Sequence, residues 1–193
     1  MTLQLRPLQP SDAPALAQLA NNRKIWNNVR DRMPFPYTPK DAATFIDNVQ
    51  QSERALVRAI LWPDVGFVGT VGLHFCETPY GGSAELAYWI GEPYWGRGMA
   101  SSAVQKVLGL GFARSELRRV YATVFSFNRG SVRVLERNGF RQEVVARAAI
   151  LKNDQVWDEI TYGLLRAEFD LAKMSPAYTQ RKRPAKTVRD VLG

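Results

Sequence analysis

One cysteine and one histidine among 193 residues leave little room for covalent or metal chemistry. A lone Cys76 excludes an internal disulfide framework and fits a reducing compartment, so a cytoplasmic location is expected. With only His74 and Cys76 on offer, a zinc ion would fall mostly to carboxylates, and no metal site is expected. Long apolar runs are missing as well. None approaches the ~20 residues that span a bilayer, and residues 1–7 lack the basic start and apolar core of a secretory leader. Internal repeats and low-complexity tracts are absent. With 46% hydrophobic and 23% charged residues, the composition is that of a globular domain rather than a disordered chain.

Acidic residues are outnumbered, and the location of the imbalance decides its meaning. The formal net charge is +8, and residues 175–193 carry Arg181, Lys182, Arg183, Lys186 and Arg189 against Asp190 alone. Half of the excess therefore lies in that short stretch. The expected organisation is one domain over residues 1–174 and a basic tail over 175–193. A solvated terminus is the simpler account of such a tail; contact with RNA, a ribosome or another acidic partner is the sharper one.

Hydrophobic periodicity gives the order of elements. Leu3-Gln4-Leu5-Arg6 alternates like a first strand, Ser11 can cap a helix over about 12–20, and a second helical stretch is expected to about Arg30. Residues 32–37 form a proline- and aromatic-rich loop. Thr38-Pro39 then gives an N-cap with proline at the first helical position, followed by apolar Ala42, Ala43, Phe45, Ile46 and Val49. Three strand-like runs, 55–62, 67–75 and 84–90, are separated by turn residues and suggest an antiparallel meander. From Met99 the period turns helical, with Ala100, Ala103, Val104, Val107, Leu108 and Gly111 on one stripe. Gly109 and Gly111 weaken that helix by ~1 kcal/mol each relative to Ala, which points to close packing on a sheet. A strand over 119–125, a short helix over 129–137 and strands over 140–151 and 156–165 complete an α/β chain with a mixed sheet.

The strongest local signal is the passage from strand to helix at residues 85–101. A helix N-terminus offers unpaired N–H groups and a positive dipole end, both suited to phosphate. In Trp95-Gly96-Arg97-Gly98-Met99-Ala100-Ser101 the two glycines permit positive φ and close approach of a ligand to the backbone. No Gly-Lys-Ser/Thr follows, which excludes a P-loop. The third glycine and the downstream acid of a dinucleotide fingerprint are missing too. A Gly-x-Gly alone is equally an ordinary turn.

Taken together with Ala84-Glu85-Leu86-Ala87-Tyr88-Trp89-Ile90, Asn128-x-x-Ser131 and Asn138-Gly139-Phe140, the loop resembles the GCN5-related N-acetyltransferase (GNAT) superfamily, in its RimJ/RimL-like branch. The resemblance runs from about Leu3 to Leu165. It implies a mostly antiparallel sheet flanked by helices and splayed between strands 4 and 5, with acetyl-CoA as acetyl donor. The backbone of Tyr88, Trp89 and Ile90 would pair with the pantetheine arm. Trp95, Gly96, Arg97, Gly98, Met99, Ala100 and Ser101 would hold the pyrophosphate, and Asn128 would lie near the sulfur. Trp95 departs from the family's usual Gln or Arg at the start of this loop.

The chemistry implied is direct attack of a primary amine on the thioester, with no covalent enzyme intermediate. A backbone N–H near Tyr88 would hold the oxyanion. Glu85 is the candidate base, its alternative being a strand-edge ion pair. Ser131 is the candidate acid, because Val134 and Leu135 leave no tyrosine where many relatives carry one. Asn128 could instead serve only as a helix cap, and Ser131 could be an ordinary helix-surface residue. RimL-type proteins carry an acid where this chain has Ala149, Asp158 is read as structural, and His74 as a satisfied core histidine. The loop 32–37 and the last hairpin should shape the acceptor cleft. They hold no acidic cluster for a polycation, which favours a peptide or protein N-terminal amine. A small-molecule amine acceptor, or a non-catalytic acyl-CoA-binding module, is the alternative. Homodimers are common among such relatives.

Overall fold

The computed structural model describes residues 2–169; the basic stretch 175–193 lies outside the described residues. Seven strands form one sheet: β1 (Gln4–Arg6), β2 (Ala55–Trp62), β3 (Gly66–Phe75), β4 (Ser83–Ile90), β5 (Arg119–Phe125), β6 (Arg141–Lys152) and β7 (Gln155–Leu165). Their order is β1-β2-β3-β4-β5-β7-β6, and β4–β5 is the parallel neighbour pair. Helices α1 (Ala13–Ala20), α2 (Arg23–Trp26), α3 (Pro39–Gln51), α4 (Met99–Phe112) and α5 (Arg129–Arg137) flank it. The expected α/β architecture with a mixed, mostly antiparallel sheet is the one observed, and β4 parts from β5. Among the described residues no helix is long and apolar enough to cross a membrane.

Each face of the sheet closes its own core. Val71, Leu73, Leu86, Val120, Ala122 and Leu164 pack against Val104, Val107 and Leu108 of α4 and Leu135 of α5. On the opposite face Val57, Ala59 and Phe67 meet Leu16 and Ala17 of α1 and Ala42 and Ile46 of α3. The close approach expected at the two glycines of α4 is real at one of them. A Cβ on Gly111 would lie 2.3 Å from Leu73 Cδ1, whereas Gly109 faces open space. The last carbonyl of α4, on Phe112, has no partner within the helix and accepts from Arg166 Nη1 at 2.5 Å; the same guanidinium ties down the turn that follows, Nε donating to Leu117 O at 2.9 Å and Nη2 bonding Arg114 O.

Local caps explain the helix ends, with two departures from the sequence expectation. Thr38 caps α3 as anticipated, its hydroxyl accepting from the Asp41 N–H at 3.2 Å while Asp41 accepts from the Thr38 N–H at 2.8 Å. Ser11 does not cap the first helix. Asp12 organises that entry instead, accepting from the Gln9 N–H at 2.8 Å and from both Arg6 guanidinium nitrogens at 2.7 and 2.6 Å. The helix expected to run to about Arg30 is a single turn, α2. Asn22 caps it through bonds from the Lys24 and Ile25 N–H groups, and the poor helix formers Asn27 and Asn28 follow Trp26.

Asp12 is almost fully buried. Burial pushes its carboxyl up, but the Arg6 hydrogen bonds, the Gln9 N–H and the Arg6 charge outweigh that and hold it below its ordinary range. A carboxylate whose pKa falls on folding stabilises the fold above its unfolded pKa, about 3.9, and loses that contribution as pH drops through the folded value. Asp12→Asn should therefore cost roughly 1–3 kcal/mol at pH 7, with the gap to the parent closing as both are melted at pH 3 and below.

Candidate active site

β4 and β5 pair over three residues only, Ser83↔Arg119, Ala84↔Val120 and Glu85↔Tyr121, and then diverge. β5 stays with β7 through Phe125↔Glu159, while β4 stays with β3 to Gly69↔Ile90. Beyond Glu85 one edge of β4 is therefore unpaired. Strand alternation decides which groups it offers. The Gly91 N–H donates to Val68 O at 2.8 Å, toward β3, and Trp89 O also faces β3, only 2.2 Å from where a Cβ on Gly69 would sit. The N–H and C=O groups of Leu86, Tyr88 and Ile90 thus face the gap. Trp89, expected to pair with a ligand, turns its backbone to β3 and its ring toward Phe67 in the core, 6.2 Å between centroids.

The glycine turn closes one end of the gap. Gly96 and Gly98 have φ of 75° and 74°, and apart from the adjoining residues no atom of the described residues lies within 4 Å of where a side chain would start on either. That bare backbone runs into α4, whose first N–H groups, on Met99, Ala100 and Ser101, have no partner in the preceding turn. The Ser101 hydroxyl oxygen is itself buried without a hydrogen bond. Met99 contributes backbone only, because its side chain is in the core. Trp95, at the start of this turn, acts locally: its indole N–H donates to Ile90 O at 2.6 Å, tying the turn to the end of β4. Arg97 lines the cleft, and so do Arg129, Arg133 and Arg137, one turn apart along α5; none of the four has an ion pair among the described residues.

Behind the gap, α5 begins at Asn128. Its side-chain oxygen accepts from the Ser131 N–H at 3.0 Å, so the capping role is realised, and its amide nitrogen is left for another partner. The Ser131 hydroxyl lies 2.7 Å from the Tyr88 hydroxyl. Burial pushes the Tyr88 phenol well above its ordinary range, against the opposing hydrogen bond from Ser131. Tyr88 is thus a neutral hydrogen-bonding group at any physiological pH.

On the other face, Glu85 is not free. Arg30, from the loop after α2, donates from Nη1 to Glu85 Oε1 at 3.1 Å. Its Nη2 donates to Thr123 Oγ1 at 2.5 Å and to Glu159 Oε1 at 3.3 Å. Sequence reasoning missed Arg30, Thr123 and Glu159. His74 is corrected: it is exposed on the wall of the same cleft, opposite Glu85 in register, and is not a core residue. Although the residue is solvent-accessible, partial desolvation of the ring by the cleft walls lowers its pKa, Glu85 opposing and Arg32 assisting, which favours the neutral form. Asp158 is structural, as anticipated, accepting from the Ala148 N–H at 2.8 Å across the β6 bulge that contains Ala149. Cys76 lies outside the cleft, 3.8 Å from the Tyr121 hydroxyl. The whole cleft encloses about 1460 Å³ and runs continuously from the glycine turn past Tyr88 to Glu85, Met33, Tyr37 and Phe45. Among the described residues there is no cluster of His, Cys, Asp and Glu suited to a metal ion.

The loop that carries Arg30 is fastened from below. Lys152, at the end of β6, is buried with its ammonium 3.4 Å from the Trp26 ring centroid; it donates to Val29 O at 3.2 Å and bonds Asp31.

A mixed sheet that parts between its two parallel strands, with a bare glycine turn at a helix N-terminus closing the gap, is the acetyltransferase fold of the GNAT class. The model of the acetyltransferase (GNAT) domain family matches residues 2–141, and the chain belongs to that family. It is 30% identical over 172 residues to the SPbeta prophage-derived uncharacterized N-acetyltransferase YokL of Bacillus subtilis, covering 88% of this chain and 93% of that one. Identity is 26% to the ribosomal-protein-serine acetyltransferase of Escherichia coli, over 82% and 89% of the two chains. Among solved structures, the RimL ribosomal-protein alpha-N-acetyltransferase in complex with coenzyme A superposes with a TM-score of 0.75 at 23% identity, covering 86% of this chain and 94% of that one.

Removing the Lys152 anchor should loosen the cleft before it unfolds the domain. Lys152→Ala is expected to cost about 1–3 kcal/mol from the lost charged hydrogen bonds and ring contact. Amide hydrogen exchange should rise chiefly over residues 27–33, and unchanged protection there would show that the anchor is not needed.

Proposed function

We propose that this chain transfers an acetyl group from acetyl-CoA to a primary amine by direct attack, the acceptor being a peptide or protein N-terminal amine. The observation that carries this reading is the unpaired edge of β4 running into the bare turn at Gly96 and Gly98. An extended amide-containing arm satisfies such an edge as an added strand would, and a pyrophosphate suits the N–H groups at the start of α4. The orphaned Ser101 hydroxyl fits a phosphate oxygen or its bridging water. Acetyl-CoA supplies an acetyl group activated as a thioester.

This chain's residues then divide the work. Tyr88 and Ile90 would bind the pantetheine amides, and the Tyr88 or Leu86 N–H would donate to the acetyl oxygen as negative charge develops there. Glu85 would accept the proton that an ammonium must lose before its nitrogen can attack. The C–N bond forms as the C–S bond breaks, giving the acetamide and a thiolate. Ser131, oriented by Tyr88 and Asn128, would hydrogen-bond that sulfur, and the second amine proton neutralises it. With Cys76 outside the cleft, an acyl-cysteine route has no support.

Acetyl-CoA and a panel of N-terminal peptides should release thiol, read with a thiol reagent. Gly98→Val should keep the fold, since no atom opposes the new side chain, yet weaken CoA binding more than about tenfold by covering the turn and straining a positive φ. Retained affinity on titration calorimetry would sink the site.

The arginines along α5 suit the remaining phosphate of CoA. Replacing Arg133 and Arg137 together by Ala should weaken CoA about three- to tenfold, as expected for exposed charge pairs. It should leave dephospho-CoA unaffected; equal losses for both ligands would assign the stripe elsewhere.

A further inference from the structure

Glu85, Thr123 and Glu159 stand on three different strands and meet on one face of the sheet at the mouth of the gap. One guanidinium, Arg30, holds all three. Among the described residues two carboxylates thus share a single contacting cation, and the cluster has room, in charge, for one more. Of its other charged neighbours one is committed, one is neutral and one is a further cation that does not touch the cluster. Asp31 is bound to Lys152, and desolvation favours the neutral form of His74. Arg32 makes no ion pair among the described residues and acts on this region through His74. All three ionic side chains are partly open to solvent, with 43% of the Arg30 side chain, 30% of Glu85 and 22% of Glu159 accessible. Ion pairs this exposed are weak and exchange readily, whereas the loop on either side of Arg30 is held by the buried Lys152.

We infer that the Glu85–Thr123–Glu159 cluster is the cation subsite for the acceptor, and that Arg30 is its resident stand-in. The acceptor's ammonium takes Glu85, and Arg30 withdraws onto Glu159. The acceptor class is accordingly an amine that arrives protonated. Arg30 is a competitor for that amine and Glu159 is the group that relieves the competition. This rests on the proposed function, because it places the acceptor on the Glu85 side of the same gap.

The two residues should act in opposite directions. For a tripeptide amide with a free N-terminus, titrated into the CoA-bound protein by calorimetry, Arg30→Ala should tighten binding about fivefold, the factor expected if Arg30 fills the subsite some four-fifths of the time. Arg30→Met, which keeps the stem, should do the same, and Arg30→Lys should fall between. Glu159→Gln should weaken binding, since Arg30 is then left to Glu85 alone. In turnover these changes should appear in the KM for the peptide and leave the KM for acetyl-CoA unchanged. Weaker or unaltered peptide binding in Arg30→Ala, movement of both variants in the same direction, or no amine binding to any of the proteins with CoA bound would overturn the assignment. Failure of CoA itself to bind would instead remove the proposed function.

Discussion

Everything in this molecule's cleft depends on β4 leaving β5 after three paired residues. A sheet that loses a strand pairing exposes a row of backbone donors and acceptors, and such groups are tolerated only where water or a ligand can satisfy them. Here the exposed row borders a cleft, so water can serve the free protein and a ligand can replace it at little net cost. The opening is held at both ends. At the far end the Trp95 indole takes the Ile90 carbonyl and fixes where the strand stops. Behind it the Tyr88–Ser131 hydroxyl pair links β4 to α5, so the gap is spanned by side chains although its backbone edge is free.

Strand alternation then sorts the chemistry onto two faces. Tyr88 and Glu85 are three residues apart on β4, so their side chains lie on opposite sides of the sheet. Tyr88 joins Ser131 and Asn128 on the α4–α5 side, where burial keeps its phenol neutral. Glu85 joins Arg30, Thr123 and Glu159 on the α1–α3 side, where the cleft continues toward Met33, Tyr37 and Phe45. In the proposed reaction donor and acceptor would therefore approach from different faces and meet through the gap.

How far each part could be read from the sequence follows from how local its cause is. Gly96 and Gly98 declare themselves because positive φ is a property of one residue, and Thr38-Pro39 because a capping box spans four. The helical stripe of α4 is legible for the same reason; the close packing expected at its two glycines holds at Gly111 and not at Gly109, because only the strand order shows which glycine faces the sheet. His74 was misjudged because a polar residue in an apolar strand reads as buried until the covering layer is known; the α1–α3 layer leaves that stretch open. The Arg30 cluster was invisible, since its partners lie 55, 93 and 129 residues away and only the strand order brings them together. The basic stripe of Arg129, Arg133 and Arg137 was readable at helical spacing. Its meaning still required knowing which side of α5 borders the cleft.

The two cationic side chains that serve the loop after α2 differ in a way that burial explains. Lys152 has 3% of its side chain accessible and satisfies its charge with Asp31, a backbone carbonyl and an aromatic face. Breaking such a buried arrangement leaves an unpaired charge and is costly, so it fixes the loop. Arg30 emerges from that fixed loop into solvent and bonds three groups through contacts that water weakens. A rigid base carrying an exchangeable head lets the cluster change partners while the backbone around it stays in place. The same contrast orders the side of the cleft at α4 and α5, where the Trp95 and Asn128 contacts hold backbone while Arg129, Arg133 and Arg137 make no ion pair among the described residues. In both halves of the cleft the committed side chains build the site, and the weakly held or unpaired charges are left for what binds there.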